Sequence, residues 1–184
     1  MSTQYWIGLG GAAVVVLAGA LWYSVWRRRR PEVLQVLQTT ALDAAHDVLL
    51  PNGMGGQIYI EHLLLTGHGV VVVDVKQFEG TIFGGDRMDE WTVIKENRRF
   101  TFPNPQATLY DRVAAVRRLA REVPVHGYVL FSSRADFTKG RPRDVILADE
   151  FEQRFKKPEK ADLEEVTLAL GPHWERIKEA AHPG

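Results

Sequence analysis

Glu61, Asp74 and Lys76 are the residues whose types and spacing best suit a chemical role. They fall in two apolar segments, 57–65 and 69–78, which are separated by a short turn. If the chain turns there, Glu61 lies opposite Asp74 across a hairpin, and Lys76 shares their face. Like charges at this separation destabilise a sheet unless a cation, a shared proton or a basic neighbour compensates them.

These two carboxylates and one lysine suit phosphodiester hydrolysis. Carboxylate oxygens are ligands for hard divalent cations, so Glu61 and Asp74 are candidate ligands for Mg²⁺ or Mn²⁺. The metal would bind a phosphate oxygen and activate water, and Lys76 would orient the nucleophile or offset developing charge. The spacing alone also allows a simpler interpretation, in which Glu61 is exposed and Asp74 forms an ordinary ion pair with Lys76.

The hairpin that would position these residues is predicted in detail. A glycine first in the two-residue loop Gly67-His68 favours a type II′ turn. Alternation places Leu63 on the face of Glu61, and places Ile60 and Leu64 on the opposite, apolar face. That face also receives His62, which we therefore interpret as a hydrogen-bonded core histidine.

The remaining pattern predicts an α/β domain with a central mixed sheet. A helix is predicted from Pro31 to about Ala45 because apolar residues recur there with helical period. Further strands are predicted at 80–85, 91–95, 99–102, 128–131 and 145–147, and helices at 106–122, 149–156 and 162–181, the last broken near Gly171-Pro172. Residues 31–184 have the length of one domain, of about 150 residues.

The hairpin and the residues after it resemble the nuclease-related domain (NERD) family. The resemblance rests on the runs 57–65 and 69–78 and extends roughly over residues 32–135; its other matching positions are Gly80, Ile82, Gly84, Trp91, Asn104-Pro105-Gln106 and Tyr128–Ser132. The family is similar to the PD-(D/E)xK, restriction-endonuclease-like nucleases. The resemblance implies a restriction-endonuclease-like mixed sheet with flanking helices. It also implies a Mg²⁺-dependent nuclease of DNA or RNA, with Glu61 and Asp74 binding the metal and Lys76 catalytic.

The sequence departs from the family pattern at three points. Glu61 stands where the family usually has aspartate, and no histidine occurs in the helix after Asn-Pro. The family's first helix usually carries a glutamate, for which Glu32, Asp43 or Asp47 would have to stand in. These departures keep open an alternative function, a catalytically inactive fold that acts as a membrane-tethered binding or scaffold module.

The N-terminal segment predicts a membrane anchor in residues 1–30 before the domain at 31–184. Residues 5–26 carry no charge and have the length of a transmembrane helix, with tyrosine and tryptophan at both ends. The cluster Arg27–Arg30 follows directly, which places the domain on the cytoplasmic side of the inner membrane, N-out and C-in. A cleaved signal peptide is disfavoured because no basic residue precedes the apolar run.

Composition limits the other kinds of site. Outside Arg27–Arg30 the chain has 19 basic and 23 acidic residues, so a global attraction to nucleic acid is not expected. There is no cysteine, which excludes disulfides and thiolate sites. The histidines lack zinc-ligand spacing. A basic rim for a phosphate backbone remains possible, formed by Lys95, Arg98, Arg99, Arg134, Lys139, Arg141, Arg143 and the arginines of the helix at 106–122.

Overall fold

A computed structural model describes residues 32–184. Its helices are α1 (Glu32–Thr40), α2 (Gln106–Leu119), α3 (Ala148–Arg154) and α4 (Lys160–Ala180). Its strands are β1 (Asp43–Pro51), β2 (Gln57–Thr66), β3 (Gly69–Lys76), β4 (Gly80–Phe83), β5 (Glu90–Lys95), β6 (Arg98–Pro103), β7 (Val125–Phe131), β8 (Ala135–Asp136), β9 (Val145–Leu147) and β10 (His182–Pro183). No helix within these residues is long and apolar enough to cross a membrane, and the predicted span at 5–26 lies outside them.

The strands form two sheets. The main sheet has the order β10-β1-β2-β3-β7-β9; β1, β2 and β3 are antiparallel, whereas β3, β7 and β9 run parallel. The predicted α/β class with a mixed sheet is therefore confirmed. The short strands of the middle segment do not join that sheet, because they form a separate one in the order β6-β5-β4-β8.

The main sheet is covered on both faces, so its central strands are apolar on both sides. Leu63, Val72 and Val129 face one core, together with residues of α2, α4 and the second sheet. Val71 and Val73 face the other core, where α1 and α3 pack. This double burial explains the unbroken valine run of β3.

Two predicted helices have different limits in the structure. The first helix ends at Thr40 and not near Ala45, and the following residues form β1 paired with β2. Apolar residues over this stretch fit either structure, and burial against β2 selects the strand. The last helix is continuous through Pro172, because Trp174 and Ile177 in its next turns are buried against the sheet. Tertiary packing here outweighs a proline penalty of about 3 kcal/mol.

The β2–β3 hairpin turns at the predicted residues with a different geometry. Pairing of Thr66 with Gly69 and of Leu65 with Val70 confirms the predicted register. The type II′ prediction is wrong, because the positive φ belongs to Gly69 (+112°) and not to Gly67. The Thr66 hydroxyl donates to the Gly69 carbonyl at 2.9 Å and accepts the N–H of His68 at 3.2 Å, which closes the turn.

We expect Gly69→Ala to destabilise the fold. A Cβ at this position would overlap with the backbone carbonyl of Pro124, and the positive φ adds strain. The free energy of unfolding, measured by urea denaturation, should fall by about 1–3 kcal/mol or more. Gly171→Ala is the control, since nothing lies near its position in α4, and it should be neutral or slightly stabilising. Equal stability of Gly69→Ala and the native protein would contradict the turn geometry.

Candidate functional site

The three predicted site residues lie near the carboxyl end of β3. Asp74 is 1% exposed, Lys76 is the last residue of β3, and the half-buried Glu61 comes from the neighbouring strand β2. Asp74 and Lys76 both lie close enough to Glu61 to affect its pKa, which Asp74 raises and Lys76 lowers. The structure thus places the predicted residues in one neighbourhood.

The predicted direct opposition of Glu61 and Asp74 needs a correction. The paired ladder of β2 and β3 ends at His62–Val73, one residue pair short of Glu61. The carboxylate of Glu61 lies near the backbone of Val75, whose N–H lowers the pKa of Glu61.

The side-chain alternation of β2 also changes at this point. Ile60 belongs to the core of Leu63, whereas strict alternation would have placed it with Leu64. The change occurs opposite Asp47 of β1, whose φ is +53°. A left-handed residue in an otherwise extended strand interrupts the period of two that the alternation argument assumes.

The environment of Glu61 disfavours its negative charge. Burial is the main cause that raises its pKa, and the nearby Asp74 carboxylate adds to the rise. The N–H of Val75 and the Lys76 ammonium act in the opposite direction without cancelling it. A desolvated carboxylate beside a second carboxylate is an arrangement that a bound cation would relieve.

Asp74 already has a cationic partner that sequence analysis missed. Nη1 of Arg112 in α2 contacts Oδ1 of Asp74, and Nε of Arg112 donates to the Tyr59 carbonyl at 2.7 Å. The side chains of Asp74 and Arg112 are only 2% and 16% exposed. The basic rim predicted from the arginines of this helix is therefore wrong for Arg112, which is largely buried and paired with Asp74.

A sequence signal for the inward position of Arg112 did exist. Arg112 follows the buried Leu109 by three residues and precedes the buried Val116 by four, so it lies on the buried side of α2. The charge of an arginine favours an exposed position, whereas the helical spacing of Arg112 indicates a buried one.

The three acids that were candidates for the missing helix glutamate have separate partners. Glu32 at the start of α1 accepts a hydrogen bond from the Ser132 hydroxyl at 2.9 Å, just beyond the carboxyl end of β7. Asp43 binds Trp174 and Lys178 of α4. Asp47 accepts the Tyr59 hydroxyl. Phe131 of β7 is the cross-strand neighbour of Lys76. Glu32 therefore contacts Ser132, the residue that directly follows this neighbour.

His62 is the hydrogen-bonded core histidine that was predicted. It is 9% exposed, and its Nδ1 lies 2.9 Å from Nδ1 of His46. Burial is the main cause that lowers its pKa to about 4, and His46 lowers it further, while Asp47 raises it. Nε2 of His62 lies 3.7 Å from the Glu61 carboxylate. Within residues 32–184 no three acids or histidines cluster as a metal site.

Polar contacts fix the second sheet to α2. Asn104 accepts the N–H of Gln106 at 2.9 Å, which satisfies a donor in the first turn of the helix. Gln106 is 3% exposed and donates to Asp86 at 2.9 Å. Arg143 binds the other oxygen of Asp86 at 2.9 Å. The fully buried Trp91 donates to the Gly85 carbonyl at 3.2 Å. The residues that carry the family resemblance here are therefore structural.

Much of the predicted basic rim is paired with acids. Glu79 binds both Lys95 and Arg134, Asp86 binds Arg143, and Glu150 binds Arg141. Arg98 and Arg99 in β6 form no ion pair among the described residues. Among the described residues, Arg117, Arg118, Arg121 and Lys139 of the predicted rim form no ion pair either, so unpaired positive charge lies on the second sheet, around α2 and in the loop of Lys139.

Comparison with known proteins now assigns the family. The nuclease-related domain model matches residues 31–132, more than half of the chain, and the chain belongs to this family. An uncharacterized protein of Bacillus anthracis is 26% identical over 102 residues, which are 53% of this chain and 48% of that protein. The chain thus spans about half the length of the curated relative it matches. No solved structure matches.

Removing Arg112 should destabilise the protein strongly. Arg112→Ala leaves the Asp74 carboxylate buried without its partner, and loss of one member of a buried pair costs about 3–5 kcal/mol. Urea denaturation would measure this loss. Arg118→Ala, on the exposed side of the same helix, is the control and should cost less than about 1 kcal/mol. Adding Asp74→Asn to Arg112→Ala should recover part of the loss, and an unaltered stability of Arg112→Ala would refute the role of the pair.

His62 should make the protein sensitive to acid. Its pKa in the folded state, about 4, lies below the ordinary value of 6.5, so protonation favours the unfolded chain. The contribution is complete above pH 6.5 and is lost as the pH falls from 6.5 to 4, by roughly 2–3 kcal/mol. Urea denaturation at pH 7 and pH 4.5 should show a smaller loss for His62→Gln than for the native protein. His182→Gln, at an exposed position, should behave like the native protein.

Proposed function

We propose that the chain is a membrane-anchored, Mg²⁺-dependent nuclease that hydrolyses phosphodiester bonds of DNA or RNA. The observation that carries the proposal is the grouping of Glu61, Asp74 and Lys76 near the carboxyl end of β3. Membership of the nuclease-related domain family supports the same chemistry.

The topology supports a relationship to the PD-(D/E)xK nucleases. Three antiparallel strands, β1, β2 and β3, are joined by β7 parallel to β3, and β4, β5 and β6 intervene in the chain before α2 and β7. This mixed sheet with flanking helices agrees with the restriction-endonuclease-like core that the family resemblance implies. In our proposal Asp74 and Lys76 of β3 form the acid-x-lysine motif, and Glu61 of β2 is the other acid.

The residues present fit a magnesium ion. Mg²⁺ is commonly held by one or two carboxylates and completed by water and substrate phosphate, so Glu61 and Asp74 suffice as protein ligands. Arg112 contacts Oδ1 of Asp74, which leaves Oδ2 as the proposed ligand atom. The metal would supply Lewis-acid activation of the phosphate and of water.

The chain's own residues would perform the remaining work of hydrolysis. The oxygen of water would add to phosphorus and lose one proton to the solvent, the bond from phosphorus to one ester oxygen would break, and that oxygen would take up one proton from the solvent. Lys76, at the strand end, would hold the attacking water and offset the negative charge that builds on the phosphate. Arg112 keeps the Asp74 carboxylate in one position, because its Nε is fixed to the Tyr59 carbonyl.

A second function is favoured by the same arginine. The guanidinium of Arg112 already neutralises Asp74, and a permanent ion pair there would make a cation unnecessary. The chain would then be a catalytically inactive module that holds a partner at the membrane. The proposed anchor at residues 5–26 serves both functions, since only Arg27–Arg30 and Pro31 separate it from α1.

The nuclease proposal predicts metal-dependent cleavage that requires Lys76. The full-length chain in mild detergent should cleave labelled DNA or RNA oligonucleotides with Mg²⁺ or Mn²⁺ and not with EDTA. Lys76→Ala should lower the rate by roughly 10²–10³-fold, because it removes a charge aimed at the reacting phosphate. Lys157→Ala, at an exposed position between α3 and α4, is the control and should cleave normally.

Two outcomes would decide against the nuclease. Absence of cleavage with either metal, or equal cleavage by Lys76→Ala, would remove it in favour of the binding module. Calorimetry separates the two functions without an activity assay. Binding of Mn²⁺ at micromolar affinity that is lost in Asp74→Ala would exclude the inactive module.

A further inference from the structure

The second sheet presents an exposed aromatic ring. Phe100 in β6 is 41% exposed, and its ring centroid lies 5.0 Å from that of Phe78, with the planes inclined by 65°. Phe78 also packs against Phe102 at 4.7 Å. Phe100 lies at the outer edge of the sheet face that also carries the buried Val93 and Trp91. The aromatic cluster holds its ring from one side, while the rest of the ring remains accessible to solvent.

Positive charge lies on the same face as this ring. Arg98 precedes Phe100 by two residues in β6, so the two side chains share a face at a spacing of roughly 7 Å. Lys95 is the cross-strand partner of Arg98 and adds a second cation. Lys95 is bound to Glu79 at 2.7 Å, whereas Arg98 forms no ion pair among the described residues. Arg99 points to the opposite face.

The aromatic cluster is connected directly to the candidate catalytic lysine. Phe78 follows Lys76 by two residues, a distance of at most about 7 Å along the chain. Val72 precedes Asp74 by two residues and so shares its face of β3. Val72 and Phe78 both pack against the core on the α2 side of the main sheet. A nucleic-acid strand bound at the end of β3 would therefore reach Phe100 within a few nucleotides.

We propose that the face of Arg98 and Phe100 binds single-stranded nucleic acid. One unpaired base stacks on Phe100, and Arg98, with Lys95, contacts the adjoining phosphates. Stacking on an exposed ring requires a base that is free of its duplex neighbours, so the face selects single strands over duplex. The proposal rests on the proposed function only in taking nucleic acid as the substrate.

Local charge complementarity supports this ligand. Residues 31–184 carry four more acidic than basic residues, so they exert no general attraction on a polyanion. The Phe100 face of the β5–β6 hairpin is different, because the two strands place Lys95 and Arg98 there and no acid, although Glu79 from outside the hairpin pairs with Lys95. An aromatic platform beside basic side chains is the combination with which proteins bind single strands without sequence preference.

Binding to labelled 12-nucleotide oligonucleotides tests the proposal. Fluorescence anisotropy of the full-length chain in mild detergent with EDTA should show tighter binding to single-stranded DNA or RNA than to the matching DNA duplex. Phe100→Ala should weaken single-strand binding about tenfold, and Phe100→Trp should retain it. Arg98→Ala should lower the slope of log affinity against log salt by about 0.7.

The opposite face of the same hairpin supplies a matched control. Ile94 is 38% exposed and points away from Phe100, so Ile94→Ala should bind within about twofold of the native chain. Circular dichroism would verify that each variant is folded. Normal binding by Phe100→Ala, equal losses in the Ile94→Ala control, or equal affinity for duplex would overturn the proposal.

The binding test is independent of catalysis. EDTA removes the metal on which the proposed hydrolysis depends, so an inactive module would still show the selective binding. An active nuclease that ignores Phe100 would cleave normally in the Phe100→Ala variant and fail only the anisotropy test. A result that refutes single-strand binding at Phe100 is thus different from a result that refutes the proposed nuclease function.

Discussion

The buried ion pair of Asp74 and Arg112 is the constraint on which the arrangement of the site depends. Asp74 lies on the central strand of the main sheet, where an unpaired carboxylate would carry a large desolvation penalty. Arg112 removes that penalty and, through the Tyr59 carbonyl, connects α2 to both β2 and β3. The same contact positions the proposed metal ligand and competes with the metal for its charge. A magnesium ion that shares Asp74 with Arg112 would make the site catalytic, whereas a permanent pair with Arg112 alone would leave it inactive.

The two sheets differ in burial and in the residues that they position. The main sheet is buried on both faces and holds Glu61 in the middle of β2 and Asp74 and Lys76 near the end of β3. The second sheet is fixed to α2 by Asn104 and Gln106, and it leaves its edge strand β6 open to solvent. A rigid sheet therefore positions the chemical groups, while a smaller, exposed sheet is available to contact a long ligand. Phe78 joins the two, since it follows β3 directly and packs against both Phe100 and Phe102.

Most of the hairpin was predictable because it depends on local rules. The run of valines, the turn position and the register of Leu65 with Val70 follow from periodicity and loop length. The shift in side-chain alternation near Glu61 was not predictable. It depends on the positive φ of Asp47 in β1, and the helical period of the preceding residues does not indicate a strand there. The end of α1 at Thr40 and the continuity of α4 through Pro172 have the same origin. In both, burial against a distant strand decides between structures that the local sequence allows.

The sequence by itself determined the family, the α/β class and the identities of Glu61, Asp74 and Lys76 as the candidate site, since residue types and strand spacing are local properties. It also predicts the anchor at residues 5–26, which depends only on length, apolarity and flanking charge. The tertiary structure decided that Arg112 is the partner of Asp74, although 38 residues separate them in the chain. It also decided that Phe78 and Phe100 form one exposed cluster beside Arg98. Such pairings arise only when helices and strands pack, because the cost of a buried charge and the contact of two rings depend on the neighbours that the fold brings together.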